Sequence, residues 1–122
     1  MKEDLKVICT DAPTAMWHEK YNERCQMSDY VKPLYHDDET GMRVEMVLYP
    51  AGYVTKKHVH NCGHGMFVLE GIFKTSEGIF GPGSFVWFPE GIVSWHGATK
   101  EQACRVIFLS NKEFDITYLD EE

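Results

Sequence analysis

The sequence predicts an all-β fold, and three features predict it. Short runs of β-branched and aromatic residues are broken by Gly, Pro, Asn and Asp. The breaks recur about every eight to twelve residues, as in sandwiches and barrels. No stretch carries a convincing apolar stripe at helical spacing.

The elements follow in chain order. Residues 12–27 offer at most a turn or two of helix, because Pro13 leads into a polar stretch. The alternative is an irregular arm carrying Trp17 and Tyr21 into a core or a partner subunit. Residues 30–36 and 42–49 read as strands joined by the loop Asp37-Asp38-Glu39-Thr40-Gly41, and Pro50-Ala51-Gly52 closes the second. Residues 58–60 form a short strand, and Asn61-Cys62-Gly63 suits a tight turn that could fold the next strand back over it. That next strand, 65–70, ends at Gly71. Residues 72–75 and 78–80 flank a turn at Ser76-Glu77-Gly78. Residues 84–88 run into Pro89-Glu90-Gly91, 105–110 form a further apolar run, and Phe114, Ile116 and Tyr118 alternate with polar neighbours.

Length and charge narrow the function. A chain of 122 residues with 43% apolar content is one ordinary domain. Twelve basic against nineteen acidic side chains give a net charge of −7. Such a surface repels phosphate backbones and anionic lipid, so neither nucleic acid nor membrane is an expected partner. No apolar run approaches the roughly 20 residues that span a bilayer. The start, MKEDLKVICT, places charges where a secretory leader needs apolar residues, so a cytoplasmic location is expected. Cys9, Cys25, Cys62 and Cys104 form no CxxC pair and predict neither a zinc knuckle nor disulfides. Three of them are expected to be small buried apolar residues, with Cys62 open between a turn residue and a group near a metal.

Four of the six histidines lie between positions 58 and 96. His58 and His60 are two apart on a strand, so both side chains leave one face and can converge on one cation. His64 follows the turn, and His96 comes from a separate segment that would close the shell. His18 and His36 are expected to be ordinary hydrogen-bonded histidines.

The spacing of these residues resembles the cupin family. Its first motif is matched by Gly52, five residues, His58-Val59-His60, three residues, His64, six residues and Gly71. Its second is matched by Gly83, five residues, Pro89-Glu90-Gly91 and then His96. Within cupins, the stretch PAGYVTKKHVHNCGHGMFVLEGIF looks most like the small domains related to the zinc-binding anti-sigma-factor cupin and the acetylacetone-cleaving dioxygenase. The resemblance implies a double-stranded β-helix, or jelly-roll barrel, over residues 30–122. Residues 1–29 would form an N-terminal strand and arm packing on the barrel or on a partner subunit. It further implies a divalent metal ion (Fe, Zn, Ni or Mn), a small-molecule ligand and a homodimer. Two departures stand out: His64 replaces the family's usual Glu, and the usual histidine position holds Ser94, with His96 two residues on. A turn two residues longer would leave His96 pointing inward, because strand side chains repeat with period two.

The expected metal ligands are therefore His58, His60, His64 and His96. Without a carboxylate, the site of a divalent ion keeps its +2 charge and favours an anionic oxygen donor. Enolates, α-keto acids and dicarbonyl compounds supply one. Three bound imidazoles leave open positions for a dioxygenase-like enzyme, whereas four close a tetrahedral, structural centre. The alternatives are a non-catalytic sensing module and a metal-independent isomerase using His60 or His64 as a base. Glu70 could orient an imidazole or form a surface ion pair. Lys57 could meet a substrate carboxylate. Phe67, Phe73, Phe85, Trp87, Phe88 and Trp95 divide between barrel lining and subunit packing.

Overall fold

The computed structural model describes residues 5–13 and 15–119, so the ends of the arm and barrel segments (residues 1–4 and 120–122) and position 14 lie outside the described residues. Among the described residues there are eleven strands and no helix. None offers a helix long and apolar enough to cross a membrane.

A six-stranded antiparallel sheet runs in the order β1 (His18–Asn22), β2 (Met27–His36), β3 (Arg43–Tyr49), β10 (Cys104–Ser110), β5 (His64–Glu70), β8 (Phe85–Phe88). Three short strands, β7 (Gly78–Phe80), β6 (Phe73–Thr75) and β9 (His96–Ala98), form a second sheet. A third pairs β11 (Ile116–Tyr118) with β4 (His58–His60). This is the all-β jelly-roll architecture expected from the sequence.

The six-stranded sheet follows from alternation. On β10, Cys104, Val106, Phe108 and Ser110 are buried while Arg105, Ile107 and Leu109 are half-buried, as period two requires. Val31, Val47, Tyr49, Met66, Val68 and Phe88 of the same sheet join them, and Phe73 and Ala98 of the three-stranded sheet complete the core. Pro33, which has no N–H to donate, sits in β2 beyond the part paired with β1, whose register ends at Val31. Beside it the β2–β3 register shifts between Pro33 and Tyr35. The 37–41 loop is the expected hairpin, closed by Asp37 N–H to the Met42 carbonyl at 2.9 Å.

Three local expectations change. Residues 18–22 are a strand on the edge of the main sheet, because Lys20 and Tyr21 pair with Asp29 and Ser28. The Asn61-Cys62-Gly63 turn does not fold β5 back over β4: β4 joins β11, whereas β5 joins β10 and β8. The chain changes sheets at this turn. Among the cysteines, Cys62 and Cys104 are buried, Cys25 is half-buried and Cys9 is exposed. Cys9 lies in the N-terminal segment, which packs too little to cover it.

Candidate metal centre

The change of sheet at residues 61–63 decides where the histidines go. His58 and His60 leave one face of β4, in the two-stranded sheet. His64 opens β5 in the six-stranded sheet, and His96 opens β9 in the three-stranded sheet. All four are buried. Ligating nitrogens of His58, His60 and His96 lie within 4.8 Å of one another. The ring of His64 stands 4.4 Å from that of His60 and 6.5 Å from that of His96, beside the triad.

The backbone after Gly91 returns position 96 to the interior, where His96 is buried. Ser94 exchanges both backbone hydrogen bonds with His58 at 3.0 Å. Two residues later His96 is bound to Thr55, whose N–H meets the His96 carbonyl at 2.9 Å and whose hydroxyl accepts from the His96 N–H at 3.1 Å. Its side chain therefore faces inward. Gly97 makes this possible: a methyl group there would run into the Tyr53 carbonyl and Val54.

Each triad ring is oriented from behind. His58 Nδ1 lies 2.7 Å from the Lys56 carbonyl and His60 Nδ1 lies 2.9 Å from the Asp115 carbonyl. A carbonyl only accepts, so both Nδ1 atoms carry the proton and both Nε2 atoms keep a free lone pair. His96 Nδ1 meets the Tyr49 hydroxyl at 3.3 Å. The Nε2 atoms of His58 and His96, and both ring nitrogens of His64, are buried without a hydrogen-bond partner. An orphaned buried polar atom costs about 1–3 kcal/mol, so four at one place need an occupant. A divalent ion fits: imidazoles held at Nδ1 by backbone carbonyls are the usual supported ligands.

Burial also keeps these rings neutral, the form that ligates. Desolvation, followed by the neighbouring imidazoles, lowers His60 to about 4 and His64 to about 3. The same desolvation lowers His58 and takes His96 well below the usual range. His64 also stacks on Phe88 (4.8 Å, 8°).

A cavity of about 410 Å³ opens onto the triad, within the size range of small-molecule sites. His58, His60 and His96 line it together with Tyr49, Met66 and Phe108, as do Lys20, Asp29, Glu45 and Tyr118. Spacing alone missed the wall residues, although Asp29 and Val31, and Glu45, Val47 and Tyr49, line it with the period-two pattern of inward-facing strand positions.

The remaining expectations resolve as follows. Glu70 is exposed and paired with Arg105 at 3.4 Å, the surface ion pair. Cys62 is buried, and burial pushes its thiol up, so it packs as a neutral thiol. Lys56 and Lys57 are exposed. Phe73 and Phe88 are core, whereas Phe67, Phe85 and Trp87 are exposed on the outer sheet face. His18 is exposed, and His36 pairs with Asp38 at 3.1 Å.

Comparison with known proteins agrees with this architecture. The family profile described as the ChrR cupin-like domain matches residues 11–115. A cupin-like protein from Thermotoga maritima superposes with a TM-score of 0.69 at 25% identity, covering 77% of both chains. An RmlC-like cupin from Ralstonia eutropha gives 0.81 at 18% identity, over 98% of this chain and 76% of that one. A candidate acetylacetone dioxygenase from Methylibium petroleiphilum gives 0.80 at 14% identity, over 98% and 85%. No curated protein matches by sequence.

Proposed function

We propose that this chain, which belongs to the ChrR cupin-like family, holds a divalent first-row metal ion on His58, His60 and His96 and acts on a small dicarbonyl compound or oxygenated organic acid. His64 stands as the fourth imidazole. The observation that carries this is the buried trio His58, His60 and His96 lining an open cavity, with the Nε2 atoms of His58 and His96 left without a hydrogen-bond partner.

When bound, the ion supplies Lewis-acid polarisation and, as Fe(II), the means for dioxygenase-like chemistry. The chain does the rest. The Lys56 and Asp115 carbonyls hold two imidazoles in the ligating tautomer. Tyr49, Phe108 and Met66 line the cavity beside the triad and exclude water from the reacting end. With imidazoles alone, the site keeps its full positive charge, which selects ligands that arrive with an anionic oxygen.

A second reading, a non-catalytic metal or small-molecule sensing module, draws on His64. A ring with both nitrogens unpartnered beside the triad would supply a fourth ligand. Metal analysis of the wild type and of His58→Ala tests the site: equal metal content in the two removes it. Oxygen uptake by Fe(II)-loaded protein with β-diketones and α-keto acids tests the chemistry. Full metal with silence across that panel favours the sensing module.

A further inference from the structure

The six-stranded sheet carries apolar residues on both of its faces. An antiparallel sheet with one wet face alternates apolar and polar residues along each strand. Three central strands break that rule: residues 46–49 on β3, 66–69 on β5 and 106–109 on β10 are each apolar at four successive positions. Val47, Tyr49, Met66, Val68, Val106 and Phe108 of these runs fill the core, so the residues between them point outward.

The strand register sets the outward residues in rows. Trp87, Gly65, Leu109 and Val44 stand opposite one another across β8, β5, β10 and β3. Phe85, Phe67, Ile107 and Met46 form the next row across the same strands. Phe85, Trp87 and Phe67 are 53, 44 and 39% exposed, and Leu109, Val44, Ile107 and Met46 are half-buried. A Cβ at Gly65 would collide with the Phe85 and Trp87 rings, and one at Gly63 with the Trp87 ring. Both rings therefore lie across β5 and leave the face flat. Two cations border the rows, and each is engaged within the chain. Lys32, opposite Met46, stands 5.0 Å from the Trp17 ring, and Arg105 pairs with Glu70 at 3.4 Å.

We propose that this outer face is where two copies of the chain pack sheet on sheet about a two-fold axis. Shape, charge and area all select a second copy. A copy brings a sheet of identical twist, so the two flat faces stack at the usual angle of about 30° and a spacing of about 10 Å. The chain carries a net charge of −7, yet neither row holds an acidic side chain, so two copies meet without opposing their carboxylates. Strands about 4.8 Å apart and outward residues about 6.8 Å apart give each position about 33 Å². The two rows, bordered by Lys32, Arg105, Leu48 and Tyr30, then span about 400 Å² in projection. Facing copies bury about 1,000 Å² of accessible surface between them, the lower range of specific interfaces, which sets a dissociation constant of micromolar order. The proposal is independent of the metal site.

Sedimentation velocity of the full chain tests it, over about 1 to 300 µM protein. The wild-type mass should climb from 14.1 kDa toward twice that value. Phe67→Lys, between Phe85 and Ile107, puts an unpaired ammonium into the contact from both copies and should raise the dissociation constant at least about a hundredfold. Phe85→Lys, one strand away, should do the same. Ile79→Lys, 64% exposed on β7 of the three-stranded sheet, should dimerise like the wild type. Circular-dichroism melts of each variant separate lost pairing from lost fold, and either folded row variant suffices. A wild type that stays at 14.1 kDa throughout overturns the proposal. A dimer that survives both row substitutions overturns it as well, since it uses another face, and so does equal loss in Ile79→Lys.

Discussion

Asp29→Asn should make the protein more stable at neutral pH. Raising the carboxyl from 3.8 to about 6 means that the folded state holds the proton more tightly than the unfolded chain. The associated stability is fully present below pH 3.8 and is lost as pH rises through about 6. At about 1.4 kcal/mol per pKa unit, the ionised carboxylate costs the fold up to about 3 kcal/mol at pH 7.5. Water reaching the side chain through the cavity reduces this to about 1–2 kcal/mol. Asparagine carries no charge and still accepts from Tyr53, so it removes that cost. Thermal melts of metal-free protein should show Tm higher by about 3–8 °C at pH 7.5, with the gain shrinking toward pH 4. No gain at pH 7.5, or an equal gain at both pH values, refutes the argument, since neither outcome follows from ionisation.

The histidines should give the opposite pH dependence and outweigh Asp29. Their folded values lie below 6.5, with His60 at about 4 and His64 at about 3, so the stability they contribute is present above pH 6.5 and lost as pH falls toward those values. Denaturant melts of metal-free protein should lose several kcal/mol between pH 7 and pH 4, and His64→Gln should flatten that slope; a flat wild-type profile counts against the buried cluster. Gly97→Ala should lower Tm and weaken metal binding together, because the added methyl group drives β9 and His96 away from the Tyr53 carbonyl; unchanged metal affinity would mean that His96 is not a ligand. His60→Ala should reduce metal affinity far more than His64→Ala, measured by competition with a chelating dye, since His64 lies beside rather than within the triad. Saturating Zn(II) at about 100 times its dissociation constant should stabilise the wild type by about 2.7 kcal/mol and leave His58→Ala unaffected, as read by thermal melts.

Much of the fold was legible because strand alternation and turn chemistry are local. The runs at 44–49, 65–70 and 105–110 each fall within a residue or so of β3, β5 and β10, since one buried face fixes which residues can be apolar. The pairing of His58 with His60 was also readable, as period two alone sets their common face. Other features depend on distant partners. Residues 18–22 carry no strong strand pattern and become a strand because the β2 edge offers them hydrogen bonds. The turn at Asn61-Cys62-Gly63 looks like a hairpin, but β11 and β8 compete for the strands on either side.

The sequence by itself determined that four imidazoles sit at motif spacing in an all-β chain, because residue type and local period are written along the chain. Only the tertiary structure decided which of them converge, for their distances depend on three separate sheets meeting at one point. It also decided that Asp29, Tyr53 and Asn22 share a cavity with them, although nothing in their sequence separation relates them. Burial then sets the charge: the same desolvation that keeps the histidines neutral raises the Asp29 carboxyl to about 6.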